Sequence, residues 1–133
     1  DGYTSVEAST ASELQRLLEA GGMAVDVSCI QVPVFYGNSM SVSLETRYPL
    51  GTDELINVFN GIEGVSLFEG LENSGLPTPV TDLQNFDKTC VGRIRESKAH
   101  DNAFNLWITS DNVRKSAAKN VIAVTQLLLE SYL

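Results

Sequence analysis

Histidine occurs once and cysteine twice in these 133 residues. Cys29 and Cys90 are too few and too far apart for a disulfide framework or a Cys-x-x-Cys metal site, so no metal is expected. Such sparing cysteine usage fits a reducing cytoplasm. Positive charge is also scarce: Lys and Arg number 9 against 17 Asp and Glu, a net charge of −8. A phosphate backbone or an anionic bilayer would be repelled, which argues against nucleic acid and membrane partners. The longest apolar runs, Val121 to Val124 and Leu127 to Leu129, fall far short of the ~20 residues that a membrane span requires. No basic start leads into an apolar stretch, and Asp1 in place of Met points to sequence missing upstream. Repeats and low-complexity tracts are absent. Hydrophobic residues at 43% and charged residues at 20% are ordinary for a folded protein, and the length suits one domain over residues 1–133.

Periodicity places the elements. Thr4 caps a predicted helix with apolar positions Val6, Leu14, Leu17 and Leu18, stopped by Gly21 and Gly22. Alternation then predicts two strands, Val25 to Cys29 and Met40 to Leu44, either side of the tight Gly37-Asn38 step. Thr52 caps a short helix with Asp53 and Glu54 in its first turn, and Gly61 and Gly64 follow it. Glu69 to Pro79 reads as a loop. Val65 to Phe68, Thr89 to Arg95 and Phe104 to Thr109 are β-rich. Asp111 or Ser110 opens a last helix with an apolar stripe of Ala117, Val121, Val124 or Thr125, Leu128 and Tyr132. The result is an α+β fold with a mixed, largely antiparallel sheet of about five strands. Val25 to Val34 and Phe104 to Ile108 read as apolar on both faces. Helices therefore cover one face, and either more helices or a second chain covers the other.

The chemistry-bearing residues do not assemble an active site on sequence grounds. His100 falls in a solvated turn between two strands, and Cys29 and Cys90 lie in apolar strands where thiols are inert. Gly61-x-x-Gly64 lacks a third glycine and a preceding strand, so no dinucleotide or phosphate loop is present. Glu7, Glu13 and Glu19 are spread around their helix rather than paired. Arg93 and Arg95 alternate on one strand face, where a cross-strand ion pair is the common fate.

Four stretches taken together carry a resemblance: Gln31-Val32-Pro33-Val34-Phe35-Tyr36-Gly37-Asn38-Ser39, Pro77-Thr78-Pro79-Val80, Val91-Gly92-Arg93-Ile94-Arg95, and Asn105-Leu106-Trp107 with Asp111-Asn112. In this order they resemble aspartate-semialdehyde dehydrogenases, over nearly the whole chain, and match the latter part of that family's dimerisation domain. The resemblance implies a Rossmann-type NADP domain upstream and a sheet face buried in a homodimer. It implies NADP as cofactor of the full-length protein, with none expected for this chain alone. The family interconverts β-aspartyl phosphate and aspartate semialdehyde in amino-acid biosynthesis, with a cysteine nucleophile that matches neither Cys29 nor Cys90.

Several family positions are changed here. Where the family carries its general acid and base His, this sequence has Asn38, and an amide does not titrate near neutral pH. Gln31 stands at the substrate-binding Arg, replacing a charged fork for a carboxylate by a neutral amide. The helix-one Glu and Lys of the family fall on Val6 and Ser9. The pattern is similar to the Usg-type paralogues, which share the Gln. Asn112 matches a family position near the nicotinamide, and as a plain structural residue it would cap the last helix. The resemblance thus implies a dimerisation domain that does not itself catalyse. Two alternatives stay open: part of an active NADP-dependent semialdehyde dehydrogenase with an altered substrate, or a stand-alone binding module.

Overall fold

The computed structural model describes residues 2–68, 76–79 and 87–132, and the chain divides into two compact units, Asp1–Val34 and Phe35–Leu133. Helix α1 of the first unit spans Ser5–Leu17. Its start is a reciprocal capping box: Glu7 N–H donates to Thr4 Oγ1 at 3.3 Å, and the Glu7 carboxylate accepts from Thr4 N–H at 2.7 Å. The helix closes at Leu18, short of the predicted Gly21-Gly22 stop, because Ala20 N–H turns back to the Gln15 carbonyl at 2.9 Å. The glycines occupy the turn beyond.

The predicted strand from Val25 to Cys29 joins no ladder. Val25 and Val27 are half-buried while Asp26 and Ser28 are exposed, so the alternation is real. It encodes an extended chain with one sheltered side, whereas a strand also needs a hydrogen-bonding neighbour. Side chains supply the bonds instead: Cys29 N–H donates to Glu7 Oε1 at 2.8 Å, and Tyr3 OH donates to Asp26 Oδ1 at 2.9 Å. Cys29 itself is exposed, against the buried thiol expected from its apolar neighbours.

Glu7 therefore ties both the helix start and the extended segment. The Cys29 N–H, then the Thr4 backbone and hydroxyl donors, hold its pKa below the ordinary carboxylate value. A lowered folded-state pKa contributes stability above the unfolded value that fades as pH falls through the folded one. We expect Glu7→Gln to flatten the acid limb of the pH–stability curve of this unit, read by circular dichroism. An unchanged acid limb would show that the carboxylate does not hold the segment.

In the second unit the strands are β1 (Asn38–Glu45), β2 (Val65–Phe68), β3 (Thr89–Glu96) and β4 (Ala103–Ser110), with helix α2 (Thr52–Asn60) between β1 and β2. Among the described residues the sheet has four strands in the order β1-β4-β3-β2; β4 is antiparallel to both neighbours, and β2 runs parallel to β3. The α+β class and the mixed, largely antiparallel sheet stand as expected, with Val25 to Cys29 accounting for the fifth predicted strand.

Register sorts the side chains into faces. Met40, Val42 and Leu44 lie opposite Ile108, Leu106 and Phe104, with Val91 opposite Ile108. Val91, Phe104 and Leu106 are at most 2% exposed and, with Leu55 of α2, form the core. Helix α2 lies against β2 and β3. Ser39, Ser41 and Ser43 share the other face with Thr109, Trp107 and Asn105. The predicted two-sided apolar character of Phe104 to Ile108 thus resolves into one apolar and one mixed face, since its alternate positions are Asn105 and Trp107.

Three local expectations shift. Gly51, not Thr52, caps α2: Glu54 Oε2 accepts from Gly51 N–H at 2.9 Å, and the Thr52 hydroxyl donates to Glu96 instead. A bulge between Gly92 and Arg95 puts Arg93 at φ +54 and breaks the alternation of Arg93 with Arg95. Neither arginine has an ion-pair partner among the described residues; Arg95 Nη1 donates to the Arg93 carbonyl at 3.1 Å. The last segment is a π-helical turn, Arg114–Lys119, that runs into helix α3, Asn120–Tyr132. The expected apolar stripe of α3 is not buried. Val121, Ile122, Val124, Leu127, Leu128 and Leu129 are all about half-exposed or more. At ~100° per residue they cover more than half of the helix circumference, too wide for a single core-facing stripe.

Candidate functional site

The turn that leads into β1 is built around Gly37. Its φ of +96 suits glycine alone, and a Cβ there would lie 2.8 Å from Pro79 Cβ. Chain and proline are therefore in direct contact at this point. Asn38 follows as the first residue of β1, exposed and opposite Ser110 at the end of β4. Two residues beyond Ser110, Asn112 Oδ1 accepts from Gly37 N–H at 2.8 Å. The fold thus brings Asn38 and Asn112, far apart in sequence, to one end of the β1–β4 pair.

Asn112 does not cap the following helix. Asp111 holds the turn that leads into it: its Oδ1 accepts from Val113 N–H at 2.9 Å and Arg114 N–H at 2.6 Å, and Oδ2 accepts from Arg114 Nε at 2.9 Å. The carboxylate is 2% exposed at its side chain. Arg114 N–H chiefly holds its pKa below the ordinary carboxylate value; burial opposes this, and Val113 N–H and the Arg114 guanidinium reinforce it.

Lys115 is not among the residues expected at the site from sequence. Its Nζ is drawn inward and donates to the Gly64 carbonyl at 2.6 Å and to Thr89 Oγ1 at 2.8 Å. Burial, the largest cause, pushes the ammonium's pKa down, and buried Cys90 lies beside it. The lysine fastens the π-helical turn to the starts of β2 and β3. Its acceptors lie 51 and 26 residues away in sequence, so no local signal marks it. Lys119 pairs in turn with Asp87.

The remaining expected residues sit as follows. Gln31 is exposed in the non-helical end of the first unit, and Val6 and Ser9 are exposed on α1, with Ser9 Oγ donating to the Val6 carbonyl at 3.1 Å. His100 is exposed in the β3–β4 turn, where Ser97 Oγ accepts from the backbone N–H groups of Ala99 and His100, and its Nδ1 is 4.0 Å from Glu45 Oε1. Cys90 is buried near the start of β3, at the far end of that strand from His100, so the two form no thiol–imidazole pair. The Pro77-Thr78-Pro79 stretch touches the site through Pro79 and anchors Trp107, whose Nε1 donates to the Pro77 carbonyl at 2.8 Å; Val80 and most of the predicted loop lie outside the described residues. Among the described residues no group of three or more His, Cys, Asp or Glu is placed to hold a metal ion, and no helix is long and apolar enough to cross a membrane.

As a ligand surface, the site offers exposed amides. The cations beside Asn112 are engaged within the chain, Arg114 with Asp111 and Lys115 with Gly64 and Thr89. Asn112 is itself exposed, with its Oδ1 engaged by the Gly37 N–H.

Comparison with known proteins gives a consistent result. A family model described as semialdehyde dehydrogenase, dimerisation domain, matches residues 1–115. Aspartate-semialdehyde dehydrogenase 2 of Vibrio cholerae is 36% identical over 132 residues, which is 99% of this chain and 38% of that protein. A USG-1 protein homolog of Pseudomonas aeruginosa is 38% identical over the whole chain and 39% of its own length. Among solved structures, aspartate semialdehyde dehydrogenase II from Vibrio cholerae, complexed with ASA, superposes with a TM-score of 0.92 at 36% identity, over 99% of this chain and 38% of the other. A probable aspartate-semialdehyde dehydrogenase from Pseudomonas aeruginosa gives 0.88 at 38% identity, over 99% and 39% of the two chains. The chain therefore spans under two fifths of the length of the relatives it matches.

Proposed function

Because this chain belongs to the semialdehyde dehydrogenase dimerisation-domain family, we propose that its role is assembly: it joins two copies of the protein and supplies no proton carrier of its own. The observation that carries this reading is the amount of apolar surface left uncovered. Ile30 is 85% exposed and Phe35 fully so; Met40 on edge strand β1 and the broad apolar arc of α3 are open as well. Single exposed apolar residues are common, but side chains this large and this numerous call for a covering surface. The partner in this reading is a second copy, giving a homodimer.

Asn38 and Gln31 support the non-catalytic half of the proposal. At the position where a proton must be taken and returned there is an amide, and at the position for a substrate carboxylate there is another. Asn112 fits a contact to the amide end of NADP in the full-length protein, and the bound cofactor would supply hydride transfer. Because a cofactor contact at Asn112 is equally compatible with turnover, a second reading stands beside the first: an active NADP-dependent dehydrogenase on a substrate without that carboxylate.

Phosphate-dependent turnover with NADP, assayed in the native-length gene product both on aspartate semialdehyde and on simple aldehydes that lack its carboxylate, separates the two. The expected result is none for the wild-type protein and a gain for Gln31→Arg with Asn38→His, where a restored imidazole adds about 100-fold or more over background. Turnover by the wild-type protein would overturn the non-catalytic reading.

A further inference from the structure

The hydrogen bond from Gly37 to Asn112 fixes more than the separation of two segments. A backbone N–H is only a donor, so the carboxamide must meet it with Oδ1, and its orientation is set by chemistry. The residue held is the one immediately before Asn38, in a turn that glycine's positive φ and the Pro79 contact already restrict. Asn112 is in turn placed by Asp111, whose carboxylate binds the next two backbone N–H groups but one. The carboxylate thus fixes the backbone just beyond Asn112, and the carboxamide in turn binds the backbone entering β1.

We infer that Asn112 is a positioning residue: through its Oδ1 it sets the conformation of the Gly37-Asn38 turn, independently of any cofactor contact it makes. The inference does not rest on the assembly reading, since it concerns one bond within the second unit. It assigns the carboxamide two separate jobs. The oxygen is bound within the chain, so a molecule that meets the Nδ2 donors must present an acceptor.

Hydrogen exchange by mass spectrometry on the native-length gene product tests this through a peptide that includes Gly37. Asn112→Ala removes the acceptor, and Asn112→Asp keeps it while removing the donors. For Asn112→Ala the expected result is about tenfold faster exchange at Gly37, the factor that an ordinary hydrogen bond represents. Peptides from β4 and α2 should keep their wild-type rates, and Asn112→Asp should restore slow exchange at Gly37. An unchanged Gly37 rate in Asn112→Ala would overturn the inference. So would a uniform acceleration across β4 and α2, the mark of general destabilisation. If Asn112→Ala fails to fold, Asn112→Asp decides: slow exchange at Gly37 upholds the role of the oxygen, and fast exchange refutes it.

Discussion

Replacing Gly37 by alanine is expected to lower the stability of the sheet-containing unit by about 2–3 kcal/mol. Two costs combine. A residue with a Cβ held at positive φ pays roughly 1–3 kcal/mol in backbone strain. The added carbon would also begin 2.8 Å from Pro79 Cβ, so the proline segment must move or the turn must open. Relief through the turn would break the bond to Asn112 and disturb the Asn38–Ser110 pair at the end of the β1–β4 ladder. Chemical denaturation followed by circular dichroism measures the loss. Gly51→Ala serves as the control, because a Cβ there meets only Glu54 Oε2 at 3.6 Å. Equal losses in the two variants would mean that the Gly37 turn is not the constrained point described above.

The second large effect is expected at Asp111. Removing its carboxylate in Asp111→Ala deprives Val113 and Arg114 of their N–H acceptor and strands the Arg114 guanidinium without this partner. Losing a buried acceptor of two backbone N–H groups costs about 2 kcal/mol. Asp111→Asn keeps an acceptor and gives up the charge, so its cost should be smaller. The sign of the pH dependence follows from the lowered pKa of Asp111. Its contribution is complete above the unfolded carboxylate value and is lost as pH falls through the lower folded one. The stability gap between wild type and Asp111→Asn should therefore close on acidification from neutral pH. A gap that stays constant down to acid would show that the charge plays no part.

How far sequence reasoning reached can be judged at these same residues. The β-rich runs around Leu67, Val91 and Leu106 are strands as read, because β-branched and apolar side chains fit a half-buried pleat. Val25 to Cys29 shows the same alternation without a ladder: side-chain period reports which side is sheltered and says nothing of what the backbone pairs with. Asn38 and Asn112, and Gln31 in the first unit, were all singled out from motifs. Yet the division of labour at Asp111-Asn112 was out of reach. Either residue type caps a helix, and only the fold shows that Asn112 is taken by Gly37, a partner 75 residues away. Lys115 was hidden for a similar reason, since its acceptors, Gly64 and Thr89, become neighbours only when β2 and β3 pair in parallel.

Assembly remains the claim on which the functional account turns. Light scattering on the 133-residue chain across micromolar concentrations gives its mass in solution directly. The account predicts twice the monomer mass, weakened by a charged residue in place of Met40 on the open edge strand; a species that keeps the monomer mass at every concentration would contradict it.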